Sequence, residues 1–405
     1  MTTAHGVATD AAGLLTDYRP GSSFFFSSPE RTLLAQGTWA DVPAAPHAPR
    51  TLPGRAASAL GTAARSGHRD PIVVGALPFR PDAPARLFVP ATVQRTGPAT
   101  GAPPARFGHD HKPPPVPRVT IRSLPEPAEY ERAVAKALGR LAGGGLQKVV
   151  LARALHLTAA GRVDAARLLR NLAAGDPHGH LYAVTVAGHP GNRTLLGASP
   201  ELLVSRRGSE VVSHPLAGSA ARSADPAEDE RRAAALLESA KDLHEHALVV
   251  DAVARALRPY CPRLDVPSRP ALVRTDTMWH LGTRVTGRLA DPRVTALDLA
   301  VALHPTPAVC GTPAPAARAV IAELEPFDRG FYGGAVGWCD ASGDGEWAVT
   351  IRCAEAQGRV LRLFAGAGIV PGSEPAGELA ETAAKFRTLL RALGLDDAGD
   401  MEATA

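Results

Sequence analysis

The run Leu181-Tyr182-Ala183-Val184-Thr185-Val186 and the three that follow it, Thr194 to Ala198, Leu202 to Ser205 and Glu210 to Ser213, read as consecutive strands. Each is short, rich in β-branched or aliphatic residues, and set off by the Gly, Pro and Ser residues that punctuate strands. No helical spacing separates them, so the chain mixes α and β without the strand-helix-strand rhythm of a parallel sheet. Upstream, Lys148-Val149-Val150-Leu151-Ala152-Arg153 reads as a further strand. It follows a helix from Pro127 to Leu141 that places Tyr130, Val134, Leu138 and Leu141 on one face and stops at Gly143-Gly144-Gly145. Asp164 caps a helix through Leu172. Downstream, Pro226 to Leu257 reads as one long helical stretch, Val349 to Cys353 and Val360 to Phe364 as strands, and Gly366-Ala367-Gly368 as a tight backbone segment. A last helix runs from about Ala376 to Leu393, with Pro375 in its first turn.

The chain is long enough to bury a full core: 405 residues, 45% hydrophobic and 21% charged, which excludes wholesale disorder and a fibrous class. A net charge of +4, with no block of Lys and Arg and only 5% aromatics, gives no footing for nucleic acid but suits a small anionic substrate. Cys261, Cys310, Cys339 and Cys353 have neither metal-site spacing nor the density of a disulfide scaffold. The start lacks a leader pattern, and no segment reaches the ~18 apolar residues of a membrane span. The expectation is therefore a cytoplasmic protein, neither exported nor membrane-spanning.

Two acidic sets stand on separate predicted helices. Glu238, Asp242 and Glu245 are spaced by four and three, and Glu378 and Glu381 by three, with Lys385 a turn further. Converging, they would form an all-oxygen site suited to Mg²⁺; the same spacing also describes ordinary solvated helix faces. In His244-Glu245-His246 the histidines point in nearly opposite directions and cannot chelate one ion, so packing is their reading. Lys148 opens an apolar strand, where it is either a general base or a strand-edge cation reaching water. Glu201, at the turn in Ser199-Pro200-Glu201-Leu202, is either a shielded general acid or a solvated carboxylate. Arg352 offers a bidentate clamp for a carboxylate or a structural salt bridge. Gly366-Ala367-Gly368 and Ala217-Gly218-Ser219 can bring backbone amides to an anion, but neither matches a phosphate-binding fingerprint.

Taken in order, Lys148 to Arg153, Ala198 to Leu203, Pro215 to Ser219, Lys241 to His246, Trp279-His280-Leu281, Leu303 to Gly311, Thr350 to Glu355 and Gly366 through Glu378, Glu381-Thr382 and Lys385 resemble the chorismate-utilising enzymes. They are most similar to the isochorismate synthases of siderophore and menaquinone pathways. The resemblance implies an α+β class, one chorismate-binding fold of large antiparallel sheets flanked by helices. It divides the chain into 1–118 as the N-terminal part of that fold with a Pro-rich loop at 96–118, 119–395 as the catalytic region, and 396–405 as a flexible tail. The implied reaction adds water to C2 of chorismate while the C4 hydroxyl leaves. Lys148 would activate the water and Glu201 would protonate the leaving hydroxyl. Mg²⁺ would be held by Glu245 and Glu381, with Glu378, and Asp242 or Glu238, acting through waters. Arg352 would grip the enolpyruvyl carboxylate, and Lys385, His280, Gly218, Ser219, Gly366 and Gly368 would line the substrate site. Lysine at 148 favours water over ammonia, and Ala217 departs from the lysine of aminodeoxychorismate synthases. A salicylate synthase, which goes on to eliminate pyruvate, and an ammonia-using aminodeoxyisochorismate-type enzyme are the alternatives. A monomer with no macromolecular partner is expected.

Overall fold

The computed structural model describes residues 10–44, 52–98, 119–175, 179–187 and 191–395. The proline-rich stretch from 99 to 118 and the tail 396–405 lie outside them.

Two large antiparallel sheets stack face to face. Among the described residues the first has ten strands, in the order Gly311–Thr312, Lys148–Ala159, Val360–Ile369, Cys353–Gln357, Arg193–Ser199, His180–Val186, Ser23–Ser27, Thr32–Gln36 and Thr92–Thr96, with Val119–Leu124 also paired to Lys148–Ala159. The second has nine, from Arg263–Asp265 through Val285–Arg288, Glu210–His214, Leu202–Arg207, Gly345–Val349, Ala335–Asp340, Ile72–Leu77 and Arg86–Val89 to Ala40–Asp41. A small sheet of Leu216–Ala221, Met278–Gly282 and Ala271–Arg274 stands apart.

Both faces of the first sheet are covered, which is why its strands read as unbroken apolar runs. In Phe24-Phe25-Phe26, Phe24 and Phe26 join the layer between the sheets with Val74, Tyr182, Trp338 and Phe364, while Phe25 faces Leu169, Phe386 and Leu389 on the helical side. The far face of the second sheet is closed by the Leu52–Arg65, Ala240–Leu257 and Ala296–Leu303 helices through Leu60, Val253 and Leu299. The result is a four-layer helix-sheet-sheet-helix stack.

Three local expectations are corrected. The stretch from Pro226 to Leu257 is two helices, Pro226–Glu238 and Ala240–Leu257, broken at Ser239. Ser239 is extended and caps the second helix through a hydrogen bond from the Asp242 amide; the Ser-x-x-Asp pattern was the signal. Val349 to Cys353 is not one strand: Gly345–Val349 belongs to the second sheet and Cys353–Gln357 to the first. The chain crosses between sheets there, and Arg352 takes a φ of 49°, a left-handed conformation uncommon outside glycine. Finally, Gly366-Ala367-Gly368 lies inside the Val360–Ile369 strand, paired with Ala152, Leu151 and Val150.

Candidate active site

The site forms where the chain crosses from one sheet to the other. Arg193–Ser199 ends in the first sheet, Pro200 and Glu201 make the crossing, and Leu202–Arg207 continues in the second. The return crossing at Thr350 to Arg352 lies beside it: the Ala198 amide donates to the Arg352 carbonyl at 3.1 Å, and the Val349 amide to the Glu201 carbonyl at 3.1 Å. Two residues placed by sheet topology, Glu201 and Arg352, thereby border one cavity.

Glu201, Gly218, Ser219, Glu245, His280, Arg352, Gly366, Gly368, Glu381 and Lys385 all border this cavity. Lys148 and Glu378 adjoin residues that do, Lys148 against Glu245 and within the field of Glu201, Glu378 beside Glu381. The Lys148 side chain is wholly buried, with Nζ 2.9 Å from Glu245 Oε1. It shares a strand face with Val150, which does border the cavity, because alternate strand residues point the same way. The glycines act by leaving room. A Cβ on Gly368 would lie 2.0 Å from Glu245 Oε1 and 2.9 Å from Lys148 Cε, and one on Gly366 would lie 2.7 Å from the Tyr332 hydroxyl.

Glu201 is 2% exposed, and burial pushes its carboxyl up to about 7 against the pull of the Leu216 amide and of the Lys148 and Lys385 charges. A carboxyl of this kind holds a proton near neutrality. On the opposite pattern, Glu381 is partly buried, which alone would raise its carboxyl, yet Lys385 at 2.6 Å, Lys241 and a hydrogen bond from Ser219 at 2.9 Å bring it below the ordinary range. His280 is held well below its usual value by burial, then by Arg352 and Lys385, and accepts a hydrogen bond from the Arg352 guanidinium at 3.1 Å. The neutral ring aims the guanidinium. Opposite these polar groups, Tyr332 stacks on Phe364 with ring centres 5.1 Å apart, and both border the cavity with Val309 and Ile351.

The acidic helices do face each other. Lys241 on Ala240–Leu257 reaches Glu378 on Pro375–Ala392 at 2.7 Å. Glu238, by contrast, ends the preceding helix and is exposed, so it does not share a face with Glu245. Asp242 receives the Ser239 hydroxyl and serves the helix cap. Among the described residues no three acid, His or Cys side chains are close enough together to make a finished ligand sphere. Instead each carboxylate holds a lysine: Glu245 with Lys148, Glu378 with Lys241, Glu381 with Lys385. The donor set still fits a hard divalent cation. It is all oxygen, and Glu378 Oε2 is buried without a hydrogen-bond partner. Burial, then the nearby Glu381 charge, raises the Glu378 carboxyl, the mark of a site with crowded negative charge. Of the two histidines only His246 is a buried hydrogen-bonding residue, between the Ala217 carbonyl at 3.2 Å and the Thr283 hydroxyl at 2.7 Å; His244 is exposed.

Residues 105–394 match the profile of the family described as chorismate binding enzyme. This chain belongs to that family. It is 55% identical over 394 residues to the isochorismate synthase DhbC of Bacillus subtilis, covering 96% of this chain and 97% of that one. To the isochorismate synthase EntC of Escherichia coli K12 it is 43% identical over 379 residues, covering 92% and 95%. The solved structure of DhbC from Bacillus anthracis, described as a putative 2,3-dihydroxybenzoate-specific isochorismate synthase, superposes with a TM-score of 0.89 at 47% identity, covering 95% of this chain and 100% of that one. Component I of anthranilate synthase from Streptococcus pneumoniae shares the fold, with a TM-score of 0.70 at 20% identity, covering 96% of this chain and 99% of that one. The α+β chorismate-binding fold of large antiparallel sheets is thus the fold of this family member.

The residues that sequence reasoning did not single out are Tyr332, Phe364 and the Glu325–Arg329 pair. Arg329 donates to the Val150 and Val309 carbonyls, both at 2.7 Å, and Glu325 accepts from the Ala152 amide at 2.7 Å, so the pair pins the strand that carries Lys148. The i,i+4 spacing of Glu325 and Arg329 was visible but ordinary, and nothing in it marks burial. No described helix is long and apolar enough to cross a membrane, and all four cysteines are buried and free of disulfides.

Proposed function

We propose that this protein is an isochorismate synthase, converting chorismate to isochorismate. The observation that carries this reading is Glu201: a buried carboxyl, held up to about 7, bordering the same cavity as an arginine clamp and a carboxylate cluster. Hydroxide is a poor leaving group, so departure of the C4 hydroxyl needs a proton delivered from a group that keeps one near neutral pH. Glu201 meets that need. Lys148 is the base that takes a proton from the water attacking C2. To do so it must give up its own proton, which leaves Glu245 without a counter-charge.

A divalent cation, Mg²⁺, supplies that charge when bound and neutralises a substrate carboxylate; Glu245 and Glu381, with Glu378 behind them, are the residues that would hold it. Arg352 donates to the enolpyruvyl carboxylate in a bidentate grip, kept in aim by neutral His280. Lys385, Ser219 and Gly218 complete the polar wall, and Gly366 and Gly368 line it while leaving space for the Tyr332 hydroxyl and the Glu245 carboxylate. Relatives named as 2,3-dihydroxybenzoate-specific and vibriobactin-specific isochorismate synthases support delivery of isochorismate to aryl-metabolite or siderophore synthesis.

The test is a product assay. Purified protein, chorismate and Mg²⁺ should yield isochorismate, resolved by chromatography, with no requirement for ammonium. Salicylate with stoichiometric pyruvate would replace this reading with a salicylate synthase, and an aminated product with an ammonia-using enzyme.

A further inference from the structure

Outside the cavity, a polar cluster lies buried between the two sheets. His180 is 6% exposed, Glu346 5% and Ser28 3%. Around them the layer is apolar, formed by Phe24, Phe26, Val74, Tyr182, Trp338 and Ala348. Burying an ionisable pair in such a layer rarely adds stability over well-packed apolar residues, so its presence asks for another role.

Its position supplies one. His180 opens the His180–Val186 strand and pairs across the sheet with Ser199, the last residue before the crossing that carries Glu201. One ring nitrogen, Nδ1, lies 3.3 Å from the Ser199 carbonyl, and the other, Nε2, lies 3.2 Å from Glu346 Oε1. Glu346 stands on Gly345–Val349 of the second sheet, directly opposite Ser205. Its second oxygen accepts from the Ser28 hydroxyl at 3.0 Å, just beyond the Ser23–Ser27 strand of the first sheet. The Glu201 amide in turn donates to the Ser199 hydroxyl at 3.2 Å. Glu346 therefore ties the second sheet to two points of the first, at the place where the backbone bearing Glu201 passes between them.

We propose that His180 and Glu346, braced by Ser28, are positioning residues: a strut between the sheets that fixes the Ser199-Pro200-Glu201 crossing and holds the Glu201 carboxyl dry and aimed into the cavity. This rests on the assignment of Glu201 as the acid. The strut touches no substrate. Its consequence is geometric, and a misplacement of about 1 Å at a reacting group is enough to cost roughly a hundredfold in rate.

The experiment uses the full-length protein with chorismate and Mg²⁺, comparing His180→Ala, His180→Gln, Glu346→Gln and Glu201→Gln. The charged groups acting on Glu201, Lys148 and Lys385, are unchanged throughout, as is His214, which lies within the field of His180. His180→Ala should lower kcat about tenfold to a hundredfold with KM for chorismate within about threefold. The high-pH limb of kcat should also move toward lower pH as water reaches the Glu201 carboxyl. His180→Gln, whose amide can still donate to the Ser199 carbonyl, should recover most of kcat. Should His180→Ala not fold, Glu346→Gln supplies the same readout, with a smaller shift of the same limb. Wild-type kcat and an unmoved limb in a folded His180→Ala or Glu346→Gln protein, whatever its melting temperature, would reduce the cluster to a structural role and overturn the proposal. Full turnover by Glu201→Gln would instead remove the acid assignment beneath it, an outcome visible with His180 and Glu346 intact.

Discussion

Two glutamates border the same cavity and respond to it in opposite ways. Glu201, on the crossing between the sheets, has the Leu216 amide 3.4 Å from Oε1, and burial carries its carboxyl up to about 7. Glu381, on the Pro375–Ala392 helix, is only partly buried and has Lys385 and Ser219 within hydrogen-bond reach, and its carboxyl falls below the ordinary range. Glu201 is the drier of the two, and the lysine charges that act on it are not hydrogen-bonded to it, whereas Glu381 holds Lys385 directly. The lesson is that one pocket runs acid chemistry on one wall and carboxylate chemistry on the other through exposure and partner placement together.

The strongest way to break this contrast is to remove the acid or the base. Glu201→Gln and Lys148→Ala should each cut turnover by roughly 10² to 10⁴, the span of general acid-base catalysis, while Mg²⁺-dependent chorismate binding, followed by calorimetry, largely persists. Near-normal turnover in either would strip that residue of its role.

A second test concerns stability. An unfolded Glu loses its proton near 4.5, whereas Glu201 in the folded chain keeps it to about 7. Between those values the folded state binds more protons than the unfolded one, so stability falls as pH rises through the window. Glu201→Gln, neutral at every pH, escapes this loss. It should match wild type at pH 4 and exceed it by about 3 kcal/mol at pH 8, read from urea unfolding at the two values. A gap that does not widen with pH would mean that Glu201 is ionised in the folded protein.

Arg352→Ala should raise KM for chorismate about tenfold to a hundredfold, the loss of a charge-assisted grip, with Arg352→Lys recovering only part because the fork is gone. An unchanged KM would place the substrate carboxylate elsewhere. The smallest expected effect sharpens the other wall: Glu381→Gln should raise the Mg²⁺ concentration for half-maximal activity by about tenfold or a little more, and an unaltered Mg²⁺ titration would count against the metal assignment. That factor corresponds to about 1.4 kcal/mol.

Much of this was legible in the chain. The strand runs around Lys148, Leu181 and Leu202, the paired acids at Glu378 and Glu381, and the lysine opening an apolar strand are local patterns, and local patterns follow from strand and helix periodicity. The break at Ser239 was legible too, through its Ser-x-x-Asp cap, although the apolar spacing across it reads as continuous. What was not legible was the departure of 350–352 from strand structure, since Thr350, Ile351 and Cys353 fit a strand well and only the passage between sheets makes Arg352 turn. The role of Gly366 and Gly368 was misread for the same reason: a glycine that gives room to a side chain on another element looks in sequence like one that frees its own backbone.

The sequence by itself determined the antiparallel-friendly succession of strands, the helices and their caps, and the kinds of groups available, because each depends on neighbours a few residues away. Only the tertiary structure decided that Glu201 and Arg352 meet, that Lys148 lies against Glu245, and that one glutamate is dry while another is paired. Those outcomes depend on solvent exclusion and on charges brought together across hundreds of residues, and neither quantity exists until the two sheets close on each other.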